Sequence, residues 1–299
     1  MQPAQCEQFC SDLPRATLHN VYWSLCAVVR VSSAICCPPP PSTFLPEQLR
    51  SPTRPKKKRL IATEYKTRLK HKEKCGEGAM AFYFEKPPGF EFEAGQYIDL
   101  TLINPAETDP DGNVRSFSLA SAPADEHLLI VTRIRDTAFK RSLQQLPIHS
   151  EVEMDGPFGS FTLHANRSRP AIFLAGGIGI APFSSMIRHA VKNSETHLYL
   201  FYSNHCPDSA AFLQSLQELE KKTLNFRFIP TMTAPDSLCQ SWRGETGFIS
   251  EEMLSKYLPR LQGAVCYVAG SPPFVEGMLK LLRFAGVGEE VRCEQFVGY

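Results

Sequence analysis

The sequence predicts two folded domains in series, an antiparallel β-barrel followed by an α/β domain with a five-stranded parallel sheet and helices on both faces. Between residues 60 and 165, short segments of alternating polarity are separated by turn signals, which is typical of a barrel. Between residues 166 and 299, apolar strand-like runs alternate with amphipathic helical segments, which favours a doubly wound sheet. The chain has 299 residues and 43% hydrophobic content, enough for a substantial core.

Residues 1–59 differ in composition from the rest and are predicted to form a disordered, basic arm. They hold nine of the 24 prolines and five of the ten cysteines, with eight Lys/Arg against three Asp/Glu. Proline clusters such as Pro38–Pro41 oppose regular packing. The apolar run Val21–Ile35 is too short for a membrane span and contains Arg30. The basic run Arg54–Arg59 is interpreted as a solvated linker, with a targeting or polyanion-binding patch as the alternative.

Charge and cysteine spacing exclude several classes of function. Beyond residue 59 the chain carries 24 Lys/Arg and 28 Asp/Glu, which gives no support to nucleic-acid binding as the main function. The sequence has no Cys-x-x-Cys pair, so the closely spaced thiolates of a plant-type iron–sulfur cluster are not expected. The histidines form no His-x-His or His-x-x-x-His pair, so no metal site is predicted. Unpaired thiols in a large core indicate a reducing compartment, and we expect the protein in the cytoplasm.

Six strands and one short helix justify the barrel prediction. Turn-forming residues at Pro87–Gly89 and Asp109–Gly112 separate the strands. The helix is expected over Ala138–Gln145, between the fifth and sixth strands. Six strands with one helix suit a small closed barrel. The predicted strands are Tyr65–Lys70, Ala79–Glu85, Gln96–Leu102, Ser116–Ala120, Leu128–Ile134 and Glu151–Met154.

Five strands alternating with four helices justify the prediction of a parallel sheet. In such sheets, ligands bind outside the carboxyl ends of the strands. That edge collects a glycine-rich turn, the segment Tyr202–Asn204 and the segment Ala269–Gly270. The predicted strands are Ala171–Ala175, His197–Tyr202, Asn225–Thr231, Val265–Ala269 and Val291–Phe296, and the predicted helices are Phe183–Val191, Ala210–Lys221, Ser250–Tyr257 and Pro273–Ala285.

The glycine-rich turn is the most informative segment of the chain. Gly176, Gly177 and Gly179 follow a buried strand and permit a tight turn and close approach of a ligand. Pro182 stands where a proline fits the first turn of a helix. The free N–H groups of such a helix N-terminus suit a pyrophosphate.

A second ligand motif, Arg115–Ser118, lies upstream in the predicted barrel. The Arg115 guanidinium suits bidentate binding of a phosphate. Phe117 projects to the same side of the strand and suits contact with a ring system. The Ser118 hydroxyl suits a hydrogen bond to a ring nitrogen. An ordinary edge strand with a solvated arginine is the alternative for this motif taken alone.

Taken together, six blocks resemble the ferredoxin–NADP(H) reductase superfamily, in particular its compact bacterial FAD-binding oxidoreductases. The resemblance spans roughly residues 60–299. The blocks are Gly95–Tyr97, Arg115–Ser118, Gly156–Gly159, Gly176–Pro182, Ala269–Pro273 and Glu294–Phe296, in the order of the family.

The resemblance implies a reductase that passes electrons from NAD(P)H through FAD to a separate acceptor. Ferredoxin, flavodoxin, an oxygenase partner and free ferric chelates all fit as acceptors. The alternative is a non-catalytic flavin-binding subunit for electron transfer or regulation. Short-chain dehydrogenases also use glycine-rich turns, but they need a Tyr-x-x-x-Lys motif that this sequence lacks.

The same resemblance assigns flavin contacts to the barrel. It implies that Arg115 holds a flavin phosphate, that Phe117 packs along the ring and that Ser118 bonds near N5. Thr132 and Ile134 are implied as backbone contacts, and Ser142 as a contact of the phosphates. Residues 136–142 lack the glycine that many relatives have there, so FMN stays open behind FAD, and Lys140 and Arg141 fit a solvated face equally well.

Nucleotide contacts are implied for the α/β domain. Gly176, Gly177, Gly179 and Pro182 hold the pyrophosphate, Tyr202 and Ser203 lie near the adenosine ribose, and Gly270 and Pro273 form a second turn on the nicotinamide side. Glu294 lies near the nicotinamide and Phe296 over the flavin, with Tyr299 as an alternative to Phe296. A last strand merely packed in the core is the alternative for these end residues. His205 leaves NADP and NAD both open, with NADP ahead.

Overall fold

A computed structural model of the chain describes residues 64–234, 242–259, 261–287 and 290–296, which belong to one compact unit. The predicted arm of residues 1–59 lies outside the described residues, and so does Tyr299. Within the described ranges, each helix is too short or too polar to cross a membrane.

The first half is the predicted antiparallel barrel. Its strands follow the order β4-β3-β6-β1-β2-β5. A bridge between Leu119 and Ile130, with the Ala120 N–H donating to the Leu129 carbonyl at 2.7 Å, joins the two edges. The elements are β1 Glu64–Gly76, β2 Ala79–Glu85, β3 Tyr97–Leu102, β4 Val114–Ser118, β5 His127–Arg133, α1 Ala138–Gln145 and β6 Glu151–Phe158.

Period-two patterning fills this barrel with side chains. Phe82 and Phe84 on β2, and Ile98 and Leu100 on β3, are almost completely buried in one apolar cluster. Their neighbours along the strands are only partly buried or face a second cluster. Alternation therefore sets which face of each strand enters the core. The predicted helix over Ala138–Gln145 is confirmed, with Thr137 as its N-cap.

The second half is the predicted parallel sheet with helices on both faces. Its order is β10-β9-β8-β7-β11-β12, and all pairings are parallel. The elements are β7 Ala171–Gly176, α2 Ile180–Asn193, β8 Leu198–Asn204, α3 Leu213–Lys222, β9 Phe226–Met232, β10 Glu245–Thr246, α4 Glu251–Tyr257, β11 Val265–Gly270, α5 Pro272–Phe284 and β12 Val291–Gln295.

Three details of the second half differ from the sequence prediction. The sheet has six strands rather than five, because β10 is two residues long and too short to give a periodic signal. Helix α2 begins three residues earlier than predicted, after a 3₁₀ turn over Gly177–Gly179. Helix α3 begins three residues later, because Phe212 takes a left-handed conformation with φ of 61°.

Candidate functional site

The glycine-rich turn is packed tightly against the end of β11. Strand β7 ends at Gly176, and Gly177 has a φ of 53°, which favours glycine. A Cβ added to Gly179 would lie 2.2 Å from the Ala269 carbonyl oxygen, so no larger residue fits there without moving the backbone. Pro182 lies in the first turn of α2, which contains no acidic residue. The turn therefore leaves the N-terminus of α2 open to an anion.

A cleft of about 660 Å³ opens at the carboxyl edge of the sheet and is lined by both halves of the unit. The cleft brings together predicted site residues that are far apart in sequence. Barrel strand β5 and the segment after it contribute Arg133 and Arg135, which were not predicted. From the α/β half come Gly176, Gly177, Ser203, Pro273 and Phe296. Asn204 and His205, which the sequence also placed at this edge, line the cleft together with the unpredicted Phe248 and Phe274.

Tyr202 and Asn204 occupy different positions relative to this cleft. Tyr202 is fully buried in the core beside Phe228, at 6.3 Å between ring centroids, and burial raises the pKa of its phenol. Asn204 lines the cleft and is only 5% exposed. Among the described residues, neither polar atom of its carboxamide has a hydrogen-bond partner. Asn204 and Ser203, rather than Tyr202, are therefore the groups that a ligand in the cleft can reach.

The two halves also meet at Ser118 and Glu294. The Ser118 hydroxyl donates to Glu294 Oε2 at 3.4 Å, and Ser118 is almost buried. Glu294 lies opposite Ala269 in the pairing of β12 with β11, and the Phe296 N–H donates to the Gly270 carbonyl at 3.0 Å. Sheet pairing thus holds the last strand beside the cleft, and it brings the three residues predicted to be catalytic into one region.

Arg115 is held by carboxylate and carbonyl groups of the loop that precedes β4. Its Nη2 lies 2.7 Å from Asp109 Oδ1, and its Nη1 donates to three backbone carbonyls of residues 111–114. The hydrogen bond from Arg115 lowers the pKa of Asp109. The backbone of Phe139, in the first turn of α1, also lowers the pKa of Asp109. The Asp109 carboxylate therefore already lies beside Arg115.

Phe117 is buried in the barrel core rather than open to solvent. The Phe139 ring lies 6.0 Å from it between centroids, and the Lys140 ammonium lies 4.7 Å from its centroid. The sequence analysis gave a solvated helix face as the alternative for Lys140. Lys140 is only 6% exposed, so this alternative is wrong for Lys140. On the neighbouring helical position, Arg141 is instead paired with Glu107 and Asp136 near the surface.

The remaining predicted flavin contacts surround this cluster. Thr132 is fully buried, and its hydroxyl accepts a hydrogen bond from Lys140. The Ile134 N–H donates to the Gly78 carbonyl at 2.8 Å. The predicted backbone contact of Ile134 with a flavin would therefore have to be made by its carbonyl group. Among the described residues, the buried Ser142 hydroxyl has no hydrogen-bond partner.

Comparison with known proteins gives matches to both halves of the described unit. The family "Oxidoreductase NAD-binding domain" matches residues 173–280. The chain is 28% identical over 212 residues to a phenol hydroxylase P5 protein of Acinetobacter pittii, covering 69% of this chain and 58% of the relative. It is 28% identical over 218 residues to ferredoxin–NADP reductase B of Sorangium cellulosum, covering 69% and 84%. The chain thus spans little more than half of the phenol hydroxylase relative.

Solved structures share the fold. An Amycolatopsis cytochrome P450 reductase superposes with a TM-score of 0.67 at 21% identity, covering 80% of this chain and 72% of that one. A ferredoxin–NADP⁺ reductase from Neisseria gonorrhoeae, solved with FAD and NADP, gives 0.66 at 19% identity, covering 78% and 99%. With its barrel and its parallel sheet, the chain has the fold of these reductases, and residues 173–280 match the oxidoreductase NAD-binding domain.

Proposed function

We propose that the protein is an NAD(P)H-dependent flavoprotein reductase that delivers electrons through FAD to a separate acceptor. The observation that carries this proposal is the meeting of Ser118, from the barrel, with Glu294 and Phe296, from the last strand of the α/β half, beside the glycine-rich turn. A hydride can pass only between rings held face to face, and such a junction is where two ligand sites adjoin.

The cleft fits a nicotinamide dinucleotide. Gly179 leaves no room for a Cβ, which keeps the turn close against β11 beneath the N-terminus of α2. The unpaired carboxamide of Asn204 offers a donor and an acceptor to a ribose. In this proposal Gly176, Gly177, Gly179 and Pro182 form the pyrophosphate turn, Ser203 and Asn204 face the ribose, and Gly270 and Pro273 border the nicotinamide.

The barrel fits a flavin. Arg115, the first turn of α1 and the Ser142 hydroxyl provide donors for phosphate oxygens. The Asp109 carboxylate already accepts a hydrogen bond from Arg115. In this proposal Phe117 would pack along the ring, and Thr132 and Ile134 would contact it through backbone groups. FAD is proposed ahead of FMN, and an iron–sulfur cluster is not part of the proposal. A bound flavin would supply the ability to accept a hydride and release its electrons singly.

The residues between the two sites have separate tasks. Ser118 and Glu294 form a hydrogen-bonded pair, which would lie near the edge of a bound flavin and could position a proton there. Phe296 would lie over a bound flavin and would have to give way to the nicotinamide. Both tasks require that the last strand stays beside β11. The hydrogen bond from the Phe296 N–H to the Gly270 carbonyl holds it there.

Several relatives are named as reductase components of phenol and propane monooxygenases. They support an oxygenase component or a ferredoxin-like protein as the acceptor of this chain. We propose a cytoplasmic location from the unpaired thiols Cys75, Cys206, Cys266 and Cys293. The division into an arm of residues 1–59, a flavin domain of residues 60–165 and a nucleotide domain of residues 166–299 belongs to the same proposal.

The test is an anaerobic titration of the purified full chain with NADPH and with NADH, followed by extraction and identification of the flavin. We expect a yellow protein that bleaches with at least one nicotinamide and yields FAD. Yellow protein that bleaches with neither would favour the non-catalytic flavin-binding subunit. Protein that stays colourless after reconstitution with FAD and with FMN would refute both functions.

A further inference from the structure

We propose that Asp125 and Arg188 are positioning residues that fix the two halves relative to each other, and with them the distance between the proposed flavin and nicotinamide sites. This inference rests on the proposed function. Arg188 lies on α2, which continues from the glycine-rich turn, and Asp125 lies in the connection between β4 and β5, seven residues after Ser118. The pair therefore joins the continuation of one ligand motif to the continuation of the other.

The ion pair is short, and its carboxylate is held by its own turn. Arg188 Nη2 lies 2.9 Å from Asp125 Oδ2, and the Asp125 side chain is 18% exposed. The same oxygen accepts a hydrogen bond from the Ala122 N–H at 2.8 Å, and the Asp125 N–H donates to the Ala122 carbonyl at 2.9 Å. Because the carboxylate is fixed before it pairs, little side-chain freedom is lost on pairing, which favours one defined geometry.

One turn earlier on α2, a buried hydrogen bond joins the same two segments. The Ser185 hydroxyl donates to the Ser121 carbonyl at 2.6 Å, and both residues are at most 1% exposed. The Ser121 hydroxyl accepts a hydrogen bond from the Leu129 N–H of β5 at 3.0 Å. Ser185 and Arg188 are three positions apart, so they lie on one face of α2. We call Ser121, Asp125, Ser185 and Arg188 the α2 clamp.

Short lengths of chain separate the α2 clamp from the proposed site. Ser121 follows Ser118 by three residues, and Ser185 follows Gly179 by six, which in an α-helix corresponds to about 9 Å. A change in the α2 clamp should therefore move the glycine-rich turn relative to Ser118. Hydride transfer needs reacting atoms about 3–3.5 Å apart, and a displacement of about 1 Å can lower its rate a hundredfold.

A second junction keeps the halves together when the α2 clamp is weakened. In the turn between β1 and β2, the Glu77 N–H donates to the Asp208 carbonyl, in the segment after β8, at 2.6 Å. Buried apolar side chains of both halves, such as Leu129 and Ile187, also belong to one cluster. Loss of the α2 clamp should therefore change the relative position of the halves rather than separate them.

The test separates positioning from ligand binding by pre-steady-state kinetics. Anaerobic reduction of the bound flavin is followed at increasing NADPH and NADH for the full chain, for Arg188→Met, for Asp125→Asn and for the double variant. We expect each single variant to lower the limiting rate of reduction about fivefold, while the dissociation constant of the nicotinamide and the flavin content stay within about twofold. Fivefold is about the limit, because a partly exposed ion pair shifts the balance of orientations by no more than its own contribution.

Two further variants identify the ion pair as the cause. Arg188→Lys keeps the charge and should restore most of the rate. The double variant should be no slower than the slower single variant, because removal of either partner already removes the pair. Single effects that multiply in the double variant would overturn the proposal.

The matched control is Arg227→Met, because the ion pair of Arg227 lies wholly within the α/β half. Arg227 Nη1 is 3.3 Å from Glu220 Oε1, which also accepts a hydrogen bond from a backbone N–H, that of Phe228. This variant should leave the limiting rate unchanged. An unchanged rate in Arg188→Met, or an equal loss in Arg227→Met, would overturn the role of the α2 clamp. Wild-type protein that binds no flavin, or whose flavin neither nicotinamide reduces, would instead refute the proposed function itself.

Hydrogen exchange of the protein without flavin gives a readout that needs no reaction. We expect the amides of residues 119–126 to exchange about two- to fivefold faster in Arg188→Met, because this connection opens more often once α2 no longer holds it. In Arg227→Met the exchange of the same amides should match that of the wild type. Equal exchange in all three proteins would contradict the proposal.

Discussion

Gly179→Ala is the sharpest test of the geometry that holds the nucleotide turn. The new Cβ would lie 2.2 Å from the carbonyl oxygen of Ala269, 2.5 Å from its carbonyl carbon and 2.7 Å from the Gly270 nitrogen. All three atoms belong to the backbone of β11, so no side-chain rotation relieves the overlap. Either the turn must move away from the sheet by about 1 Å, or β11 must shift against its neighbours.

Overpacking at rigid sites typically costs about 1–3 kcal/mol, and we expect the upper end here because only backbone atoms are in contact. For a folded unit of this size, about 3 kcal/mol corresponds to a fall in Tm of roughly 6–12 °C. Thermal unfolding of the full chain measures this shift. The same displacement should raise KM for the nicotinamide by at least about tenfold, because the amides of the turn leave their places.

Gly277→Ala is the matched control for stability. This glycine lies within α5, and an added Cβ would meet no atom within 4 Å. Alanine is the better helix former, so we expect a gain of up to about 1 kcal/mol and a slightly higher Tm. A Gly179→Ala variant whose Tm lies within about 2 °C of the wild type would refute the close packing of the turn on β11.

Three further outcomes follow from the site. Ser118→Ala should slow bleaching of the bound flavin by NAD(P)H about 10- to 100-fold in stopped-flow measurements, with flavin content unchanged, because the hydrogen bond from Ser118 to Glu294 is lost. Unchanged bleaching would remove this pair from the mechanism. Asn204→Asp places a carboxylate beside the ribose, and should shift the ratio of kcat/KM for NADH over NADPH upwards by about tenfold; an unchanged ratio would mean that the ribose lies elsewhere. In flavin-free protein the pKa of Lys140 is lowered to about 7 in the folded state. The unfolded chain therefore binds more protons above pH 7, so the free energy of unfolding should rise with pH from about 7 to 10. Denaturant titrations should show a smaller rise in Lys140→Met, and equal slopes would contradict the burial of this charge.

Local patterns were sufficient to predict most of the strands and helices of both halves. The strand over Ala79–Glu85 and the helix over Ala138–Gln145 were predicted to the residue, because alternation and helical periodicity depend only on near neighbours in the chain. The two-residue strand Glu245–Thr246 escaped prediction, because pairing with β9, and not its own sequence, makes it a strand.

Sequence patterns predicted the candidate site less completely, since they do not show where along a strand the core ends and the cleft begins. Tyr202 and Asn204 are two positions apart on β8, yet the first is buried in the core and the second lines the cleft. Phe248 and Arg133 carry no motif and were missed, although an aromatic ring and a guanidinium line the same cleft.

The amino-acid order alone determined the two-domain architecture and the glycine-rich turn, because backbone freedom and short-range periodicity are properties of neighbouring residues. Only the folded chain settled which distant groups meet. Ser118 and Glu294 are 176 positions apart, and their hydrogen bond exists because β12 pairs with β11 and the barrel packs beside that edge. In the same way, the burial of Lys140 comes from strands β4 and β5, which pack against α1, and nothing in its own segment indicates it.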